Sequence, residues 1–251
     1  MYIYIYDSFV NESKNHKIIA SIETRLTDLG LNGKIYRLGV IKSITSLLDE
    51  EIKKGAKTII GVGNDFLFSQ IINSVIKISE DSSIVPIIGF IPIGKNNDIA
   101  NYFGINLSNA HAVISARRVK SFPLGKVNNN YFLSNVKIST KKTIIDINDR
   151  YQISLNEKNE AFVINLPISP KMENIGLDYE KLKLFIKNNS SGYFSNKSQT
   201  DSLISFQTIK VFDSNNTALI DNNYYLKSPF EISQSSKKIN IIIAKDKKII
   251  E

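Results

Sequence analysis

Residues 58–105 read TIIGVGNDFLFSQIINSVIKISEDSSIVPIIGFIPIGKNNDIANYFGI, and their changing apolar period sets the fold class. Thr58, Ile59, Ile60 and Val62 form a continuous apolar run, the pattern of a strand buried on both faces. Phe68, Ile71, Ile72, Val75 and Ile76 then recur at helical spacing, and Ile84 to Ile91 returns to a buried strand. Strand, helix, strand with doubly apolar strands predicts parallel βαβ units covered by helices.

The stretch upstream repeats the alternation. Tyr2 to Tyr6 reads as a strand, and Ile18, Ile19, Ile22, Leu26 and Leu29 as a helix face stopped by Gly30 and Gly33. Lys34 to Leu38 reads as a second strand. Ile41, Ile44, Leu47, Leu48 and Ile52 follow as a helix face, with Gly55 as its C-terminal break. From about Lys120 the helical periods give way to short β-branched and aromatic runs between Asn, Asp, Ser and Lys turns. These runs are Tyr131 to Ile138, Thr143 to Ile147, Tyr151 to Leu155, Ala161 to Leu166, Leu182 to Ile186, Ile204 to Phe212, Tyr224 to Leu226 and Ile239 to Ala244. The expectation is an α/β domain over residues 1–119, with a parallel, Rossmann-like sheet, and a mainly antiparallel β-sandwich domain over 120–251. Asn188 to Asp201 carries no apolar period and reads as a polar loop.

Composition narrows the chemistry. The 251 residues include no cysteine, which excludes disulfides, thiolate metal sites and cysteine nucleophiles. His16 and His111 are the two histidines, too few for a histidine-rich metal centre, so any metal is expected on oxygen ligands. A net charge of +8 favours anionic partners such as phosphates, nucleotides or acidic lipid surfaces. Nucleic acid is not expected, because no motif interleaves basic and aromatic residues. The basic cluster Arg117, Arg118 and Lys120 reads as a solvated face or as positive charge near a ligand. The N-terminus lacks the form of a signal peptide, and no apolar run is long enough to cross a bilayer, so a cytoplasmic location is expected.

Two loops carry the candidate chemistry, each following a buried strand and opening a helix, where parallel sheets bind ligands. The first is Gly61-Val62-Gly63-Asn64-Asp65-Phe66, and the second is Ile91-Pro92-Ile93-Gly94-Lys95-Asn96-Asn97-Asp98. Both reach an Asn-Asp pair at a helix start. By residue type alone, Asp65 and Asp98 read equally as helix N-caps or as oxygen ligands to a cation.

Together the loops resemble the diacylglycerol kinase catalytic domain family, related to bacterial lipid kinases and more distantly to NAD kinases. That family has a Gly-Gly-Asp-Gly-Thr loop that contacts nucleotide phosphates, and a Pro-x-Gly-Thr-x-Asn-Asp loop beside it. Pro92, Gly94, Asn97 and Asp98 match the second. In the first, Gly63 and Asp65 remain, while Asn64, Phe66 and Leu67 replace Gly, Gly and Thr. Asp221 matches the family's Asp-Gly-Glu segment, whose companion acid is here Asn223.

The resemblance implies an ATP- and Mg²⁺-dependent lipid kinase that phosphorylates a lipid hydroxyl at a membrane surface. Gly61, Gly63, Asn64, Asp65, Gly94, Lys95, Asn97 and Asp98 would bind the nucleotide, Asp65 and Asp98 would hold Mg²⁺, and Asp221 would act as catalytic base. It leaves open a homodimer and peripheral attachment to the inner membrane face. The altered first loop and Asn223 keep an alternative in play: a degenerate family member that binds nucleotide or lipid as a regulatory protein. Phe66 is pivotal, since its ring packs either into the core or where phosphates would lie.

Overall fold

The computed structural model describes residues 1–39, 43–80, 85–168, 181–188, 201–213 and 215–245. They divide into two compact units, Met1–Phe122 with Lys238–Glu251, and Pro123–Lys237.

The first unit alternates strand and helix: β1 (Tyr2–Tyr6), α1 (His16–Asp28), β2 (Gly33–Arg37), α2 (Ile44–Lys53), β3 (Thr58–Gly63), α3 (Asp65–Ile78) and β4 (Ile87–Pro92). Two short helices, α4 (Asp98–Tyr102) and α5 (Ala110–Ala116), precede β5 (Val119–Val127). The parallel order is β2-β1-β3-β4. Every residue of β3 is buried, as its unbroken apolar run requires. On β2, Lys34 reaches Glu51 of α2, while Arg37 reaches Glu23 of α1. Residues three apart on a strand face opposite ways, so helices cover both faces.

The helices follow their apolar stripes with one adjustment. In α1 the buried stripe is Ile19, Ile22 and Leu26, whereas Ile18 and Leu29, read from spacing as part of that face, lie exposed on its flank. Helix α3 buries Leu67, Phe68, Ile71, Ile72, Val75 and Ile76. Ile41, Ile84 and most of the Asn188 to Asp201 segment lie outside the described residues.

The second unit is antiparallel. It contains β6 (Asn130–Phe132), β7 (Asn135–Ile138), β8 (Thr143–Ile147), β9 (Tyr151–Leu155), β10 (Asn159–Ile164), β11 (Lys183–Asn188), β12 (Ser202–Ser205), β13 (Thr208–Val211), β14 (Thr217–Ile220) and β15 (Tyr224–Lys227). A six-stranded sheet runs β12-β11-β10-β7-β14-β15. Alternate residues Val136, Ile138, Ala161, Val163, Ala218 and Ile220 of this sheet share one apolar core with Ile145, Ile147, Ile209 and Val211 of β8 and β13. That period of two, facing inward from both sets of strands, is the packing of a sandwich.

The last strand, β16 (Phe230–Ile242), carries residues of both units. Its early part pairs antiparallel with β13, and Asn240 and Ile241 pair parallel with Ile87 and Ile88 of β4. The chain from Lys238 therefore clusters with the α/β unit, although it follows the β-rich stretch in sequence. Among the described residues, no helix is long and apolar enough to cross a membrane.

Candidate functional site

The first loop turns its donors inward. Asn64 precedes α3 in an extended conformation, and its Oδ1 accepts the N–H of Phe66 at 3.0 Å and of Leu67 at 3.5 Å. Its carbonyl accepts from Phe68 N at 3.1 Å, and Asp65 N donates to Asn96 O at 2.9 Å. The amides of residues 65–67, which a helix start leaves without intrahelical partners, thus all find acceptors inside the protein, and Phe68 makes the first intrahelical bond.

The glycines of this loop serve packing. A Cβ on Gly61 would lie 2.9 Å from Ile71 Cδ1 and from Phe68 Cδ1, so its absence lets α3 sit against β3. A Cβ on Gly63 would come within 3.0 Å of Asp7 Cβ and Leu67 Cδ2. Phe66 turns away from the core and is 45% exposed.

Asp65 is buried, and its carboxylate caps α4 rather than its own helix. Oδ2 accepts Asp98 N at 2.7 Å and Oδ1 accepts Ile99 N at 3.1 Å. Ile93 N donates to Gly63 O at 2.7 Å, so Gly63 and Asp65 hold the second loop at both ends.

The second loop faces solvent. Gly94 and Asn96 adopt left-handed φ values of 85° and 61°. A side chain on Gly94 would meet the ring of Phe9 at 3.0 Å, which adds to the need for glycine there. Among the described residues, the backbone N–H groups of Gly94, Lys95, Asn96 and Asn97 meet no acceptor. Asn97 Nδ2 donates to Gly94 O at 2.9 Å, while its Oδ1 is buried without a partner. Lys95 and Asp98 are exposed, and neither side chain forms a hydrogen bond or ion pair among the described residues.

This donor set fits a polyphosphate: successive amides beside left-handed residues make an anion-binding concavity, and Lys95 adds positive charge. For a divalent ion the fit is partial. No group of three His, Asp or Glu side chains among the described residues could hold a metal. Asp98 therefore offers one carboxylate, with phosphate oxygens and water left to complete the shell that Mg²⁺ favours.

Asp221 belongs to the second unit, in the turn between β14 and β15. It is buried at φ 47°, and its carboxylate accepts Leu133 N at 3.0 Å, Ser134 N at 2.7 Å and Asn135 N at 3.2 Å. Burial first, and the Asp221 carboxylate second, push the neighbouring Tyr224 hydroxyl above its ordinary value. In the first unit, Arg117 donates to Tyr2 Oη at 3.0 Å and lies over that ring at 5.7 Å, so part of the basic cluster is engaged.

The structure thus brings Gly63, Asn64, Asp65, Gly94, Lys95, Asn97 and Asp98 together, with Gly61 beneath α3. It adds Phe9 and Asn96, which residue type had not singled out. Asparagine is the side chain most tolerant of a left-handed turn, so the Asn96-Asn97 pair carried a faint signal. Phe9 carried none, since its role depends on a distant glycine.

Residues 2–127, half of the chain, match the family described as Diacylglycerol kinase catalytic domain. No curated protein matches the sequence. Among solved structures, the chain is similar to a diacylglycerol kinase from Bacillus anthracis str. Sterne at 17% identity and a TM-score of 0.73, covering 97% of this chain and 96% of that one. It is also similar to an NAD kinase from Archaeoglobus fulgidus solved in complex with ATP, at 13% identity and a TM-score of 0.60, covering 99% and 95%. Identities this low establish a shared fold, that of lipid and NAD kinases. The family match goes further, and the chain belongs to the diacylglycerol kinase catalytic domain family.

Proposed function

We propose that the protein binds ATP and transfers a phosphoryl group to a lipid hydroxyl. The observation that carries this reading is the row of unpartnered amides from Gly94 to Asn97, held open beside Lys95 and Asp98. Phosphoryl transfer asks little covalent chemistry of a protein; it asks that a triphosphate be held and the acceptor be aligned. Bound Mg-ATP would supply the phosphoryl group and neutralise its charge. The amides of residues 94–97 and the Lys95 ammonium would hold phosphate oxygens, with Asp98 and a divalent ion alongside. Gly61, Gly63 and Asn64 support this from beneath, by letting α3 and the Asp7 turn approach. A net charge of +8 supports an acceptor presented at an anionic membrane surface.

Asp221 is the base that the family resemblance implies. Three amides of residues 133–135 already lie on that carboxylate, which leaves little of its acceptor capacity for the proton of an acceptor hydroxyl. That arrangement favours a second reading, in which the chain binds nucleotide or lipid without turnover.

The test is phosphoryl transfer from labelled ATP to mixed micelles containing diacylglycerol or other hydroxyl lipids, run beside ATP binding. Labelled phospholipid that disappears in Asp98→Ala supports the kinase reading. Saturable ATP binding with no transfer to any lipid leaves the second reading, and no binding at millimolar ATP sinks both as nucleotide functions.

A further inference from the structure

We propose that Asp65 is a positioning residue that sets the shape of the second loop, and that it does not ligate the divalent ion. The inference rests on the reading that the second loop receives phosphates. Its ground is the direction of the hydrogen bonds. Both carboxylate oxygens of the buried Asp65 accept backbone N–H groups, at 2.7 Å from Asp98 and 3.1 Å from Ile99. These amide hydrogens carry partial positive charge and take one lone-pair direction of each oxygen, so a cation at Asp65 would meet that positive charge at close range. A divalent ion at Asp65 would have to displace them or sit against them.

The backbone of Asp65 aims the free amides. Its N–H donates to Asn96 O at 2.9 Å. In a planar trans peptide, the carbonyl and the following N–H point in opposite directions. Tying Asn96 O to Asp65 therefore turns Asn97 N–H away from the first loop. With Ile93 N bound to Gly63 O at 2.7 Å, the segment is pinned on both sides of its two left-handed residues, Gly94 and Asn96. A non-glycine residue in that region is strained and needs such support. Asp65 and Asp98 thus divide the work, one shaping the loop and the other presenting a free carboxylate.

The experiment uses the full chain as wild type, Asp65→Asn and Asp98→Asn. ATP affinity is measured by calorimetry in EDTA and again in excess Mg²⁺, below the melting temperature of every variant. Amide exchange of Asp98 and Ile99 is followed in parallel. Asp65→Asn should weaken ATP binding by the same factor, about tenfold, with and without Mg²⁺, and should lower the protection of both amides. Asp98→Asn should weaken binding in Mg²⁺ alone. A merely structural Asp65 would lower the melting temperature while leaving the affinity of the folded protein unchanged. As a second variant, Asn96→Gly keeps the Asp65 carboxylate and releases the constrained residue; it should also weaken binding in EDTA. A loss confined to Mg²⁺ in Asp65→Asn would make Asp65 a metal ligand and overturn the inference. Unchanged affinity in Asp65→Asn and Asn96→Gly would overturn it too, while leaving nucleotide binding intact. Absence of ATP binding in the wild type would instead overturn the nucleotide reading, and the positioning role with it.

Discussion

Asn64-Asp65 and Asn97-Asp98 are the same dipeptide at the same kind of place, the turn from a parallel strand into a helix, yet their side chains do opposite things. Asn64 caps its own helix, and Asp65 reaches across to cap the next one. Asn97 bonds to Gly94 O within its own loop, and Asp98 points to solvent. Position in the sheet accounts for the difference. Strand β3 lies between β1 and β4, so the loop leaving it is flanked by the Asp7 turn on one side and residues 93–99 on the other. A polar side chain buried there must find partners or lose free energy, and backbone amides are the donors at hand. The loop leaving β4 has the β3 loop beneath it and keeps its outer amides free. The comparison teaches that one dipeptide, at the same kind of turn, can spend its carboxylate on a neighbouring helix or leave it to solvent.

The sharpest way to break this contrast is Asp65→Ala. It leaves two amides of α4 without their acceptor and should cost about 3 kcal/mol in denaturant unfolding, since hydrogen bonds to charged groups are worth more than neutral ones. A loss below about 0.5 kcal/mol would mean that the cap is dispensable. Asp221→Asn applies the same logic in the second unit, where one carboxylate holds three amides; about 2 kcal/mol of destabilisation is expected from the same measurement. Gly61→Ala should cost about 2 kcal/mol by overpacking Ile71 and Phe68, with the ATP affinity of the folded chain unaltered. An affinity loss without a stability loss would return that glycine to the ligand.

A third carboxylate sharpens the comparison from another side. Glu51 is buried, which alone would raise its carboxyl; hydrogen bonds from Lys34, Tyr36 and Lys54 outweigh this and hold it below the ordinary range. Its stabilising contribution is therefore full above that ordinary range and is lost as pH falls through the lowered value. Glu51→Gln should cost about 1 kcal/mol at neutral pH, and the gap to wild type should shrink as pH falls below 4.5. A gap that stays constant to low pH would contradict the assigned partners. The smallest stability effect is expected at Asp98→Ala, within about 0.5 kcal/mol, combined with loss of the Mg²⁺-dependent part of ATP binding.

Much of this architecture was legible in the chain. Apolar spacing placed α1, α2, α3 and the parallel strands β1, β3 and β4 because burial on one stripe or both faces leaves a direct trace in residue type, whereas the edge strand β2 is largely exposed. Long-range pairings left less. The Tyr131 to Ile138 run breaks at Leu133 and Ser134, where Asp221 takes the backbone amides. The Ile204 to Phe212 run breaks at Phe206 and Gln207, where Asn148 accepts from Gln207 and Thr208. Lys238 to Ile242 joins the α/β unit through β4, a partner far away in sequence. At the candidate site, residue type located the two strand-to-helix loops, but capping and ligation would draw on the same Asn and Asp side chains. Only the direction of each carboxylate separates the two tasks, and direction is set by neighbours such as Asn96 and Ile99.

The central claim, that phosphates are received by the second loop and not the first, is tested most directly by mapping backbone amide shifts during an ATP titration. The account predicts large, saturable shifts at Gly94, Lys95, Asn96 and Asn97, with Phe66 and Leu67 nearly still under their Asn64 cap. Shifts centred on residues 65–67, or none near either loop at millimolar ATP, would contradict it.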